Sequence, residues 1–267
     1  MMNRSEMGHG VFFECTRESG LSCGFGIKYE SLANLKSDEC DLIVLPGLKN
    51  APPEAVGEIR RLYNEGVNLI AFSDVTGLED IFEVKHIEKK TRINEIIYNG
   101  ETEYVREEDA LLMYEPDSAE VVMKTDKNEP VIFSNRRCAL VNADVTNLGE
   151  SDSRDMCQAK SLHVVGSLIR KALSDLATRL SSPIVKGENV GTTLFETEDG
   201  RIMLLAIDYT PFDNAEHNIK EAVITVNGNI AKEVKSEREL FVGKKNGYVK
   251  ELRFDIKPHE FVFVELI

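Results

Sequence analysis

The feature that most constrains this chain is a pair of almost wholly apolar runs, Asp41-Leu42-Ile43-Val44-Leu45-Pro46-Gly47 and Val67-Asn68-Leu69-Ile70-Ala71-Phe72-Ser73, one helix length apart. Runs so rich in Val, Ile and Leu are what a parallel sheet covered on both faces requires. Between them Val56, Ile59, Leu62 and Tyr63 recur at helical spacing, and Pro52-Pro53 preset a first turn. Glu54 lies at the positive end, Arg60-Arg61 lie near the negative end, and Gly66 can stop the helix. The segment reads as a βαβ unit.

Upstream, Met7, Val11, Phe12 and Cys15 share a helical face over residues 5–19, residues 21–29 read as a short strand, and residues 31–35 as at most a turn or two of helix. An open α/β domain ordinarily begins with a strand. Here the helix that should follow that strand comes first, so we expect the C-terminal part of a longer protein, or descent from one. Downstream, Asp74–Gly77 is a turn and residues 78–84 a short amphipathic piece. Brief β-like runs follow at residues 96–98, 110–114, 120–123, 131–133 and 139–141, the last two as a hairpin around Asn135-Arg136-Arg137. From a cap at Asp152 or Ser153, Met156, Ala159, Leu162, Val165, Ile169, Leu173, Leu176 and Leu180 step by three or four residues as the longest helix, which stops before Ser182-Pro183.

Beyond residue 184 the period becomes two. Asp199-Gly200, Asn227-Gly228 and Asn246-Gly247 each separate β-rich runs, the signature of hairpins whose turns need positive φ, and residues 261–267 supply a last apolar strand. So many short strands must bury one face each against a second sheet. We therefore expect two domains: a flavodoxin-like α/β sheet with helices on both faces over residues 1–181, then an all-β sandwich over residues 182–267.

The formal net charge of −14 and the lack of a basic stripe argue against nucleic acid or an anionic membrane as partner. No run reaches the roughly 18 apolar residues of a membrane span, and the N-terminal residues lack a charged region followed by an apolar run, so we expect a soluble, unexported chain. The five cysteines, Cys15, Cys23, Cys40, Cys138 and Cys157, are odd in number and scattered without a CxxC pair, which fits reduced thiols in a cytoplasmic protein.

Ligands of an open parallel sheet bind at the carboxyl ends of its strands, which points to Pro46-Gly47-Leu48 and to Ser73-Asp74-Val75-Thr76-Gly77. Ser73 could act as a nucleophile with His86 as base, but Ala71 stands where a nucleophile elbow carries glycine. Structural use of the loop serine and aspartate is the weightier reading. Asp208-Tyr209-Thr210-Pro211 leaves a strand for a loop with Asp213 and Asn214, and its polar and aromatic side chains could meet a sugar or simply cap a turn. The five histidines include no pair at metal-ligand spacing, and Gly24-Phe25-Gly26 is no phosphate loop, so no metal and no cofactor is expected.

The run from Asp41 to Gly47, the segment from Glu65 to Ile70 and Gly77-Leu78-Glu79-Asp80-Ile81-Phe82 resemble the class I glutamine-amidotransferase-like domain of family 42 β-galactosidases and related glycoside hydrolases. Residues 204–209 and 261–266 sit where the terminal sandwich of such proteins would. The resemblance implies a domain that follows a catalytic barrel and serves oligomerisation, in a protein of carbohydrate metabolism. Working amidotransferases hold a cysteine at the elbow; this chain has Phe72-Ser73-Asp74, which disfavours amidotransfer. The barrel that carries the two carboxylates in such proteins is absent from these residues, so glycosidase activity is not assigned to them. The expectation is a non-catalytic accessory region, possible homo-oligomer included, with a small Ser73/Asp74/His86 hydrolase or a carbohydrate-binding protein as alternatives.

Overall fold

The computed structural model describes residues 28–45, 47–48, 50–142, 167–181, 185–188, 190–208 and 219–267. These fall into two compact units, 28–181 and 185–267. The helix expected at 5–19, all but the last two residues of the strand expected over 21–29, the start of the long helix and Tyr209 lie outside the described residues; Tyr29 opens a 3-10 helix, Tyr29–Asn34, where the sequence placed the end of that strand.

The βαβ unit forms as its apolar pattern dictates. Strands β1 (Leu42–Leu45) and β2 (Asn68–Phe72) pair in parallel, with Leu42 opposite Asn68 and Leu45 opposite Ala71. Helix α1 (Pro53–Glu65) connects them, opening on its proline and ending at Gly66, whose N–H donates to the carbonyls of Leu62 and Tyr63. Its buried face, Ala55, Ile59 and Leu62, joins one core with Leu69, Ala71, Cys138 and Leu140. Strand β7 (Cys138–Val141) adds on the far side of β2, also in parallel.

The remaining strands run antiparallel: β3 (Val84–Tyr98), β4 (Glu101–Pro116), β5 (Glu120–Thr125) and β6 (Pro130–Ser134), in the seven-stranded order β1-β2-β7-β6-β5-β3-β4. The expected hairpin around Asn135–Arg137 is β6–β7, with Ile132 opposite Val141. The separate short runs at 96–98 and 110–114 are instead parts of one hairpin of 15- and 16-residue strands. Its charged stretches broke the apolar pattern, and cross-strand pairing of the two long partners supplies what propensity lacks. The sheet is therefore mixed, and strand outweighs helix in this unit.

Alternation along β2 sends Asn68, Ile70 and Phe72 to the face away from α1. Helix α3 (Ser167–Ser181) lies there. The Asn68 side-chain amide donates to the Leu180 carbonyl at 2.6 Å, the Tyr98 hydroxyl donates to Asp175 at 2.8 Å, and Arg179 donates to the Ser134 hydroxyl. A single-turn helix α2 (Glu79–Phe82) follows β2 and packs Ile81 and Phe82 into the α1 core.

The second unit holds two antiparallel sheets, β12-β15-β10-β9 and β13-β14-β11-β8. Their strands are β8 (Val185–Gly187), β9 (Gly191–Glu196), β10 (Ile202–Ile207), β11 (Lys220–Val226), β12 (Val234–Lys235), β13 (Phe241–Lys245), β14 (Tyr248–Ile256) and β15 (Phe261–Leu266). One core, including Leu204, Ala206, Ile224, Leu252, Phe254 and Val264, lies between them. Asp199-Gly200 and Asn246-Gly247 make the expected hairpins β9–β10 and β13–β14; at the latter φ is 54° and 80°, the left-handed pair that a primed turn needs. Asn227-Gly228 does not. After it the chain leaves the β11 sheet, and β12 pairs instead with β15, Val234 opposite Leu266. Gly228, at φ 69°, takes the chain out of β11, and half-buried Val234 packs against the shared core from the other sheet.

Candidate functional site at the carboxyl edge of the parallel strands

Strands β1, β2 and β7 end together, and the chain leaving them places Gly47, Ser73, Asp74 and Thr76 along one edge. Gly47 has φ 131°, and a Cβ there would stand 3.3 Å from the Phe72 carbonyl, so only glycine lets the β1 loop approach β2 so closely. The next N–H, of Leu48, donates to the Asp74 carbonyl at 3.0 Å, which joins the two loops. Ser73 is half-buried at φ 64°, in the left-handed region that a serine enters at a cost of order 1 kcal/mol. Its N–H donates to Val141 at 2.8 Å, continuing the ladder. Asp74 is buried, and its carboxylate accepts from the N–H of the exposed Thr76 at 3.0 Å in a local turn. Arg60 of α1 clamps the far side of that turn, donating to the Gly77 carbonyl at 2.8 Å and to both carboxylate oxygens of Asp80.

His86, exposed on β3, comes to this edge only through Tyr114, its ring edge-on at 5.5 Å. Among the described residues no hydrogen bond joins His86 to Ser73 or Asp74. Asp208 belongs to the other unit. It directly follows β10, buried, with an ion pair to Lys220 and its N–H donating to the Glu260 carbonyl at 3.0 Å.

Sequence reasoning missed two residues that govern the edge. The fully buried Tyr114 sends its hydroxyl beneath the Ser73–Thr76 turn, where it accepts from the Val75 N–H at 3.0 Å. Burial raises its phenol pKa, so it stays protonated. Asn142, just past β7 and also fully buried, accepts from the N–H groups of Met113 and Tyr114 at 3.1 and 2.9 Å and donates to the Tyr114 and Pro130 carbonyls at 2.8 and 3.1 Å. Its amide thus serves as one more peptide in the sheet. The only signal in the sequence was a polar residue directly after an apolar strand. Together with Leu48, Val75 and Leu78, all nearly inaccessible, Tyr114 fills the edge from within.

Cys138 offers no substitute nucleophile, since burial in β7 pushes its thiol up to about 12 and leaves negligible thiolate at neutral pH. Among the described residues no group of three or more His, Cys, Asp or Glu could hold a metal ion, and no helix is long and apolar enough to cross a membrane.

No protein-family profile matches the sequence, and no curated protein does. Solved structures do. α-L-Fucosidase isoenzyme 2 from Paenibacillus thiaminolyticus matches over 99% of this chain and 45% of its own, with a TM-score of 0.67 at 12% identity. A β-galactosidase from the psychrophilic Marinomonas ef1 matches over 96% of this chain and 33% of its own, with a TM-score of 0.52 at 13% identity. At such identities the likeness is one of fold, and the chain spans less than half the length of either solved chain. The architecture is thus one that occurs within glycoside hydrolase chains.

Proposed function

We propose that this chain is a non-catalytic accessory region of a glycoside-hydrolase-like protein of carbohydrate metabolism. On this reading residues 1–181 are an amidotransferase-like, flavodoxin-like domain that serves assembly, residues 182–267 are a terminal sandwich, and a catalytic barrel upstream in the same cytoplasmic protein does the chemistry. The observation that carries it is the fold match over nearly all of this chain but under half of two glycoside hydrolase chains. The edge supports it: where a ligand of such a sheet would bind, Tyr114, Leu48 and Val75 already sit. Two measurements test it. Purified chain is expected to leave nitrophenyl α-fucosides and β-galactosides intact, and turnover abolished by Ser73→Ala would overturn the reading. An in-frame barrel in the coding sequence upstream of Met1 is the other expected result; a clean gene start counts against it.

One observation favours a second reading, a small hydrolase using Ser73, Asp74 and His86. Ser73 holds a left-handed backbone at a strand end, as nucleophiles on strand-to-helix turns do. Ester hydrolysis that persists in the double variant Ser73→Ala/Asp74→Asn eliminates it.

A further inference from the structure

Strands β10 and β15 are apolar at both parities, Ile202-Met203-Leu204-Leu205-Ala206-Ile207 and Phe261-Val262-Phe263-Val264. Strands covered on both faces have that composition. Among the described residues one parity lies in the sandwich core: Leu204, Ala206, Val262, Val264 and Leu266. The other parity faces outward, with Phe261 opposite Ile207, Phe263 opposite Leu205, and Phe195 of β9 opposite Met203. Six apolar side chains therefore adjoin on one sheet face. Phe261, Phe263 and Phe195 are 63%, 48% and 37% exposed, and the first two rings meet edge to face at 5.9 Å. The outward face of the other sheet is of the ordinary solvated kind, carrying Glu221 opposite Asp255, then Arg253 and Glu251.

We infer that the outward face of β9, β10 and β15 docks onto the same face of a second copy of the chain, forming a two-fold dimer. The inference rests on the accessory reading proposed above and extends its assembly role from the α/β domain to the sandwich. Size agrees. At about 200 Å² per ring, the exposed parts of the three phenylalanines present roughly 300 Å² of apolar area. Half-buried Met203, Leu205 and Ile207 add to it, approaching the roughly 450 Å² of apolar surface that each partner contributes to a standard interface. Charge agrees as well. A two-fold axis sets a patch against itself, so a single-sign patch on this acidic chain would repel its copy. In the ladder of this face the outward charged positions are Glu265 and Lys235, paired side by side and opposite in sign at one margin. Stacked sheets pack about 10 Å apart, close enough for rows of phenylalanine from each copy to interdigitate.

Sedimentation velocity on the full 267-residue chain, over a hundred-fold concentration range starting in the low micromolar, is the test. Wild type is expected at twice the 30.0 kDa chain mass. Phe263→Glu, and independently Leu205→Lys, are expected to give monomers at the same concentrations with an unchanged unfolding transition, while Phe241→Glu on the opposite sheet leaves the dimer intact. A wild-type monomer throughout, or a dimer that survives both substitutions on the patch, overturns the inference. Neither result bears on the accessory reading, which the hydrolysis assay decides whatever the mass.

Discussion

The core of the first unit and the sandwich of the second use strands of nearly the same composition in different surroundings. Along β2 and β7 every residue from Leu69 to Phe72 and from Cys138 to Val141 is buried, because α1 covers one face and α3 the other. β10 is as apolar as either, yet buries only alternate residues. In the parallel strands of the first unit the apolar excess is spent inside the fold. In the second it is left on the surface, and the difference locates where this molecule has something still to bury.

The comparison fails or sharpens first on core truncations. Leu140→Ala in β7 removes a side chain packed on α1 and should cost about 3 kcal/mol in urea unfolding. Leu205→Ala on the outward face of β10 should cost the isolated chain less than about 1 kcal/mol while weakening self-association. Equal costs would mean that the outward face is already covered. Next come the buried polar devices at the strand ends. Asn142→Leu orphans the buried N–H groups of Met113 and Tyr114 and should cost about 3 kcal/mol, read from the same unfolding curves. Lys220→Met strips Asp208 of its ion-pair partner and, because the lysine is a third exposed, should cost somewhat less, about 2 kcal/mol. Ser73→Gly relieves the left-handed backbone and should raise stability by at most about 1 kcal/mol.

The smallest effect is acid sensitivity in the sandwich. Hydrogen bonding from Arg238, and then from the Lys257 N–H, holds the Glu260 carboxyl below its ordinary value of 4.5. Its contribution is therefore fully present above that pH and fades as the pH falls through the lower folded value. Urea midpoints of wild type and Glu260→Gln should accordingly converge in acid and separate, modestly, at neutrality.

How much of this was legible in the sequence follows from how local each cause is. The βαβ unit was legible because apolar runs, the Pro52-Pro53 start and the Gly66 stop all lie within some thirty residues. So were the turns at Asp199-Gly200 and Asn246-Gly247, whose partners are their immediate neighbours. Asn227-Gly228 misled because a turn dipeptide says nothing of which sheet receives the next strand. The long β3–β4 hairpin was hidden by charged residues that only pairing makes into strand. At the candidate edge, Gly47, Asp74 and Thr76 were found by a rule about strand ends, whereas Tyr114 and Asn142 act across a sheet order that no spacing reveals. His86 was grouped with Ser73 on chemical type, and in the fold its ring meets Tyr114 instead.

Asn142 also carries a mechanical consequence. Its single carboxamide grips β4 at Tyr114 and β6 at Pro130, although two other strands separate β4 from β6 in the sheet order. An outermost ribbon would ordinarily peel from its free end one rung at a time. Here the base of the hairpin, away from its Asn99-Gly100 turn, is stitched to the middle of the layer, so unpeeling that begins at the turn stops at a joint that yields only when the interior does.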